Sequence, residues 1–160
     1  FWDGPHAAGR KVWTKALCGT LRGAQELNAK MGIVDGVYYF SYACSGTKDS
    51  ADGKYQDPTD ALGVMSGTGW LIGHITGITV DGVKLEGDWL RNDGSVPVKS
   101  ALYPEGEKHE FIVDHKGAYE RGVWYVYPVV ENANHSTLLG SKTESYIDLY
   151  MNQIDIVNAK

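Results

Sequence analysis

The sequence predicts an α/β domain built on part of a parallel sheet. Two short apolar and aromatic runs, residues 37–43 (Val-Tyr-Tyr-Phe-Ser-Tyr-Ala) and 122–130 (Gly-Val-Trp-Tyr-Val-Tyr-Pro-Val-Val), have the composition of strands buried on both faces. Helical segments lie between and after them, the alternation that distinguishes α/β chains from all-β ones. The chain has 160 residues, 42% apolar and 22% charged, which fits one domain (1–160) with a real core. Two clear strands and one or two weaker ones are too few for a complete doubly wound sheet, so only part of such a sheet is expected.

Taken in order, residues 1–16 show no period, and Trp2 and Trp13 are expected to anchor an irregular entry segment onto the body. Residues 21–31 read as a helix ended by Gly32, where a left-handed residue stops helices. The first strand, 37–43, follows between Asp35-Gly36 and Ser45-Gly46. Residues 45–57 are polar and read as a loop. Residues 58–73 carry Leu62, Met65, Trp70 and Leu71 at near-helical spacing, with internal glycines that weaken a continuous helix. Residues 75–85 alternate around Asp81-Gly82, a hairpin signal.

Residues 87–98 (Gly-Asp-Trp-Leu-Arg-Asn-Asp-Gly-Ser-Val-Pro-Val) read as a loop leaving a strand end, with Asn-Asp-Gly supplying the turn and Val96 to Val98 resuming an extended run. Residues 105–121 are charged and read as a surface excursion. The second strand, 122–130, has its ladder-competent part capped by Pro128. Residues 141–144 (Ser-Lys-Thr-Glu) form a capping box, and the terminal helix presents Tyr146, Ile147, Tyr150, Ile154 and Val157 on a stripe expected to pack on a sheet.

Composition narrows the function. A net charge of −5 without a basic cluster argues against nucleic-acid binding. No apolar run approaches the ~20 residues needed to cross a bilayer, and residues 1–160 are expected to hold no signal peptide. The chain starts Phe1-Trp2-Asp3 without an initiator Met, so a processed product, an excised piece or part of something longer is expected. Cys18 and Cys44 read equally as one disulfide or two buried thiols.

The candidate site is Asp93 with His135. A histidine can take the proton of a serine hydroxyl while an acid holds its tautomer and stabilises the imidazolium, provided both sit on rigid strand ends. In hydrolases of this type the chain order is nucleophile, acid, base, and Asp93 then His135 satisfies the last two terms. The bland readings are a turn residue for Asp93 and a polar loop residue for His135. His109 and His115, with Glu110 and Asp114, invite a metal assignment, but a charged surface loop explains them better. His6 and His74 have no companions in sequence. No window holds a Gly-x-Ser-x-Gly elbow: Ser66, Ser95 and Ser136 lack the flanking pattern, and no His-Gly-Gly oxyanion segment occurs.

Residues 12–14, 23–28, 37–41, 89–96 and 122–140, in this order and spacing, resemble the C-terminal part of secreted bacterial triacylglycerol lipases of the thermophilic Bacillus/Staphylococcus type. The Asn-Asp-Gly acid loop and the Gly-Val-Trp strand leading to Asn-His carry the resemblance most strongly. It spans roughly residues 11 to 157. It implies the C-terminal part of an α/β-hydrolase sheet, hydrolysis of acylglycerol esters, Asp93 as triad acid and His135 as triad base. It also implies that the serine elbow, the oxyanion hole and most of the lid region belong to an N-terminal half missing from this chain. The family often binds calcium through an acidic residue two positions past the histidine and an Asp-Pro soon after. Here those places hold Thr137 and Lys142-Thr143, so no cofactor is expected. The family's zinc site draws on the missing half.

Two function classes follow. In the first, the chain is the C-terminal half of a secreted serine lipase or esterase. It is inactive alone, its partners are the N-terminal half and an ester substrate, and it touches a lipid interface. In the second, it is a non-catalytic lipase-derived domain that binds an acyl ligand or a partner. Exposed apolar surface where another half would dock discriminates the two.

Overall fold

The computed structural model describes residues 20–141 and 147–158. Helix α1 (Leu21–Met31) precedes strands β1 (Tyr39–Ser41), β2 (Cys44–Ser45), β3 (Thr47–Asp49) and β4 (Gln56–Pro58). Helix α2 (Ser66–His74), the hairpin β5 (Thr79–Val80) and β6 (Val83–Lys84), and helix α3 (Val98–Leu102) follow. The chain continues through β7 (His109–Phe111), β8 (Trp124–Val126) and β9 (Val130–Glu131) to helix α4 (Ile147–Asn158). The central sheet has the order β1-β8-β7, all parallel, with Phe40 opposite Tyr125. The ladder between the first two strands resumes one step on, where β2 pairs in parallel with β9.

Local chemistry explains where these elements begin and end. Thr20 caps α1 by accepting from the Gly23 N–H at 3.1 Å. Gly32 ends the helix at φ 53°, its N–H donating to Asn28 O. The β5–β6 hairpin turns through Asp81 and Gly82, both at positive φ, as a two-residue turn demands. These elements lie where the sequence places them.

Other segments differ from expectation. Residues 45–57 contain the antiparallel pair β3–β4 rather than a plain loop. The 58–73 segment is broken: a 3₁₀ turn over Asp60–Met65 kinks at Gly63 (φ 53°) and α2 starts afresh at Ser66. Val98 opens helix α3, with Pro97 as the extended residue before it, so the extended run stops at Pro97; five residues are too few to show a helical period. The charged excursion holds β7. It is an edge strand with two of its three residues exposed, and exposed edges carry charge that hides them from hydropathy reading. Pro128 interrupts the second strand rather than ending it, because β9 re-forms the ladder two residues later.

Two corrections concern burial. Tyr38, Tyr39 and Phe40 are half-buried, so the first strand is not covered on both faces. On α4 the stripe does not pack on the sheet: Ile147, Tyr150, Ile154 and Val157 are all 45% exposed or more. The capping box beyond Ser141, and Tyr146, Trp2, Trp13, His6 and Cys18, lie outside the described residues.

The fully buried residues gather at the carboxyl end of the sheet. Ala43, Val98, Leu102 and Val126 form one cluster, and Leu62 and Asn92 are completely buried beside the Asp93 loop. Leu62 lies among Gly46, Gly69 and Gly94; a methyl group on the first two would fall 2.3 Å from its side chain. Gly73 brings α2 against β4, where an added Cβ would sit 2.1 Å from Gln56 O. Glycine is needed at Gly69 and Gly73 for close approach rather than for backbone freedom.

Candidate active site

The acid loop is sewn to the chain leaving β2. Gly46 N–H donates to Asn92 O at 2.9 Å, and Asn92 N–H donates to Thr47 Oγ1 at 3.3 Å. Asn92 Nδ2 donates to Leu90 O at 2.8 Å and to Gly69 O at 3.0 Å, while its Oδ1 accepts from Gly94 N–H at 2.9 Å. The next carboxylate, Asp93, is therefore held from below by a fully satisfied amide. Asp93 Oδ1 accepts from the N–H groups of Ser95 (2.9 Å) and Val96 (2.7 Å). Its Oδ2 stays free for one more partner.

That partner is His135. Ala133 N–H donates to Ser45 O at 3.1 Å, which ties the base loop to β2 as well. Asn132, at φ 54°, turns the chain after β9. Asn134 Oδ1 then accepts from Ser136 N–H and Thr137 Oγ1, and its Nδ2 donates to Ala61 O at 2.9 Å. His135 N–H donates to Asp93 O at 2.9 Å, and the ring Nδ1 lies 2.8 Å from Asp93 Oδ2. A carboxylate can only accept, so Nδ1 carries a proton, and in the neutral imidazole the lone pair is then on Nε2. The Asp93 side chain is 10% exposed and the His135 side chain 45%. The carboxylate is buried and the imidazole is about half exposed.

The surroundings fix this pair from two directions. Arg91 Nη1 donates to Asp88 at 2.9 Å and Nη2 to Glu131, joining the acid loop to the strand that leads to the base. Burial opposes the Arg91 charge, yet these two carboxylates hold its pKa above the usual value. Cys44, buried on β2, is a free thiol; burial first, and then the Asp93 charge, push its pKa up to about 11.

The other described histidines do not join the site. His109 stacks on Tyr103 with ring centroids 3.7 Å apart. His115 packs against Tyr119 and Tyr125, and faces Glu110 at 3.0 Å. His74 does have companions: Trp70 and Tyr55 stack against its ring, and Asp57 lies 3.5 Å away. Among the described residues no group of three or more His, Cys, Asp or Glu could hold a metal ion. Thr137, at the place of the family's acidic calcium ligand, is buried with its hydroxyl spent on Asn134, so this position does not fit a cation. Asn92 and Asn134 are the residues that sequence reading passed over. The signal was present, since an asparagine immediately precedes each candidate.

A mixed helix and strand chain with a parallel three-stranded sheet, and a buried carboxylate oriented on an imidazole beyond its carboxyl edge, is consistent with the α/β class. The match to known proteins is narrower: residues 10–153 match the family described as lipase-like, C-terminal domain, and the chain belongs to it. It is 29% identical over 152 residues to a lipase of Staphylococcus hyicus, covering 92% of this chain and 22% of that protein. It is 26% identical over 134 residues to Lipase 2 of Staphylococcus aureus strain MRSA252, covering 81% of this chain and 18% of the relative. The chain thus spans about a fifth of the length of these relatives. In structure it is similar to EstA from Clostridium botulinum, with a TM-score of 0.70 and 25% identity over 84% of this chain and 32% of that one. It has the same fold as part of the Staphylococcus hyicus lipase crystal structure, with a TM-score of 0.63 and 24% identity over 86% of this chain and 36% of that one. The likeness to the C-terminal part of bacterial lipases, read from the sequence, holds.

Proposed function

We propose that residues 1–160 are the C-terminal portion of a secreted serine lipase or esterase, supplying the acid Asp93 and the base His135 of its triad. The observation that carries this reading is the 2.8 Å bond from His135 Nδ1–H to the buried Asp93 Oδ2, on an imidazole that is about half exposed. The nucleophilic serine comes from an N-terminal half outside this sequence, which has no Gly-x-Ser-x-Gly elbow. Alone, the chain is inactive.

The chemistry follows from the geometry. His135 Nε2 takes the serine hydroxyl proton as the oxygen attacks the ester carbonyl, and Asp93 stabilises the imidazolium that forms. The proton then passes to the leaving alcohol, and an acyl-enzyme remains. His135 next takes a proton from water, which attacks the acyl carbon, and the carboxylic acid departs as the proton returns to the serine. The substrate class is acylglycerol esters, met at a lipid interface. Among the described residues no helix is long and apolar enough to cross a membrane.

Exposed apolar side chains support a docking role for the rest of the enzyme. The α4 stripe is one such face, and Trp70 and Leu71 on α2, about half exposed, are another. Intact mass and sizing of the native material, with a p-nitrophenyl ester assay on the same sample, tests the reading. A serine-bearing companion or a longer polypeptide should travel with the activity. Native material in which this chain is well folded and no serine-bearing companion or longer polypeptide is found would contradict it and favour a domain that binds an acyl ligand or partner without turnover.

A further inference from the structure

We infer that Asn92 and Asn134 are paired positioning residues, which set the Asp93–His135 geometry by latching both loops to one shared segment, residues 61–69. The inference rests on the reading of Asp93 and His135 as acid and base, and deepens it. Both asparagines use their amide in the same way. Each Oδ1 accepts from the N–H two residues on, Gly94 for Asn92 and Ser136 for Asn134, which shapes the loop carrying the candidate. Each Nδ2 donates to a main-chain carbonyl of the shared segment, Gly69 O at 3.0 Å and Ala61 O at 2.9 Å. One end of the amide forms the turn and the other end fixes where the turn sits.

The shared segment can serve as a template because it is held firmly. Leu62 is completely buried between the two latched carbonyls in sequence. Its side chain fills the space that Gly46, Gly69 and Gly94 leave open, so it touches the β2 exit, α2 and the acid loop together. Thr68 Oγ1 also donates to Gly94 O at 2.5 Å, a third tie from this segment to the acid loop.

The imidazole needs this help. The His135 side chain is 45% exposed, so packing around the ring cannot by itself fix its direction. A hydrogen bond weakens steeply outside a few tenths of an ångström and below about 120°. The loop backbone must therefore bring Nδ1 to Oδ2, and the Asn134 latch is the side-chain bond that locates that backbone from the far side of Asp93.

The test is proton and nitrogen magnetic resonance of the His135 ring in the 160-residue chain. Asn134→Asp and Asn134→Ser both keep an acceptor for Ser136 N–H. Neither can donate to Ala61 O, the first for want of a donor and the second for want of reach. In the wild type the ring should be predominantly the Nδ1–H tautomer, with a downfield proton that Asp93→Asn removes. In both Asn134 variants the backbone amide spectrum should stay folded, while the downfield proton disappears and the tautomer ratio falls several-fold toward that of a free imidazole. Asn92→Ser should act in the same direction. Folded Asn134 variants with the wild-type proton and ratio would overturn the inference and leave the acid–base reading standing. Loss of the folded spectrum in both would make Asn134 a structural residue and also overturn it. A wild-type ring without that proton, or one indifferent to Asp93→Asn, would instead overturn the acid–base reading beneath it.

Discussion

The floor beneath Asp93 and His135 is built to a different standard from the sheet interior and the face of helix α4. In the floor, the buried polar side chains of Ser45, Thr47, Gln56, Asn92, Asp93 and Thr137 all have hydrogen-bond partners within the chain. In the sheet, the buried Ser41 Oγ and Trp124 Nε1 have none among the described residues. Leu62 in the floor is wholly buried, whereas Ile147, Met151 and Ile154 on α4 are about half exposed. Buried polar atoms without partners are costly, and large exposed apolar faces are unusual on a finished surface. The contrast teaches that the buried polar groups beneath Asp93 and His135 are satisfied among the described residues, while the apolar side chains of α4 stay exposed among them.

The sharpest way to break this contrast is to remove chemistry without disturbing the floor. Asp93→Asn should lower ester hydrolysis by about 10⁴-fold in the enzyme carrying its nucleophilic half, because the tautomer of His135 is no longer held. The melting temperature of the variant should change little, and turnover close to wild type would remove Asp93 from the triad.

Packing substitutions come next. Leu62→Ala should cost about 2–5 kcal/mol, since three glycines leave it alone to fill the space. Gly73→Ala should also destabilise, by about 1–3 kcal/mol, although alanine ordinarily strengthens a helix, because its Cβ would press on the main chain of Gln56. Denaturant unfolding measures both. On the other side of the comparison, Ile154→Ser on α4 should change the stability of this chain by no more than ~0.5 kcal/mol. The same change should weaken association with the remaining half, read by sizing. A large stability loss from Ile154→Ser would mean α4 is already packed and would dissolve the contrast.

A gradual effect concerns Cys44. Its pKa is raised to about 11 in the folded chain, so the folded state keeps a proton that the unfolded chain releases above its ordinary value near 9.0. The folded state binds more protons in that window, so stability present below pH 9 should be lost gradually between pH 9 and 11. Native alkylation by iodoacetamide at pH 8 should likewise be slow beside the unfolded chain, and equal rates would place Cys44 outside the floor.

Much of the site was legible in the sequence because it is built from local rules. Asn-Asp-Gly announces a turn with an acid, and Asn-His follows a run of strand-forming residues. Helix α1 was legible through its helix-forming run and the stop at Gly32. What escaped has a physical reason in each case. Strand β7 is an exposed edge whose charges mimic a loop, and α3 is shorter than a helical period can reveal. The stripe on α4 was rightly apolar, but periodicity shows only that a face wants covering and not that the cover lies in the same chain. The asparagine latches were hidden because their partners are main-chain carbonyls 23 and 73 positions away, which leave no mark of residue type.

The most direct single measurement is the rate at which a fluorophosphonate labels serine when this chain is joined to the nucleophilic half, compared between wild type and His135→Ala. Labelling of one serine outside residues 1–160, slowed by at least about 10³-fold in the variant, is the expected result. Equal labelling rates in the two would show that His135 is not the base, and the site described here would have to serve some other chemistry.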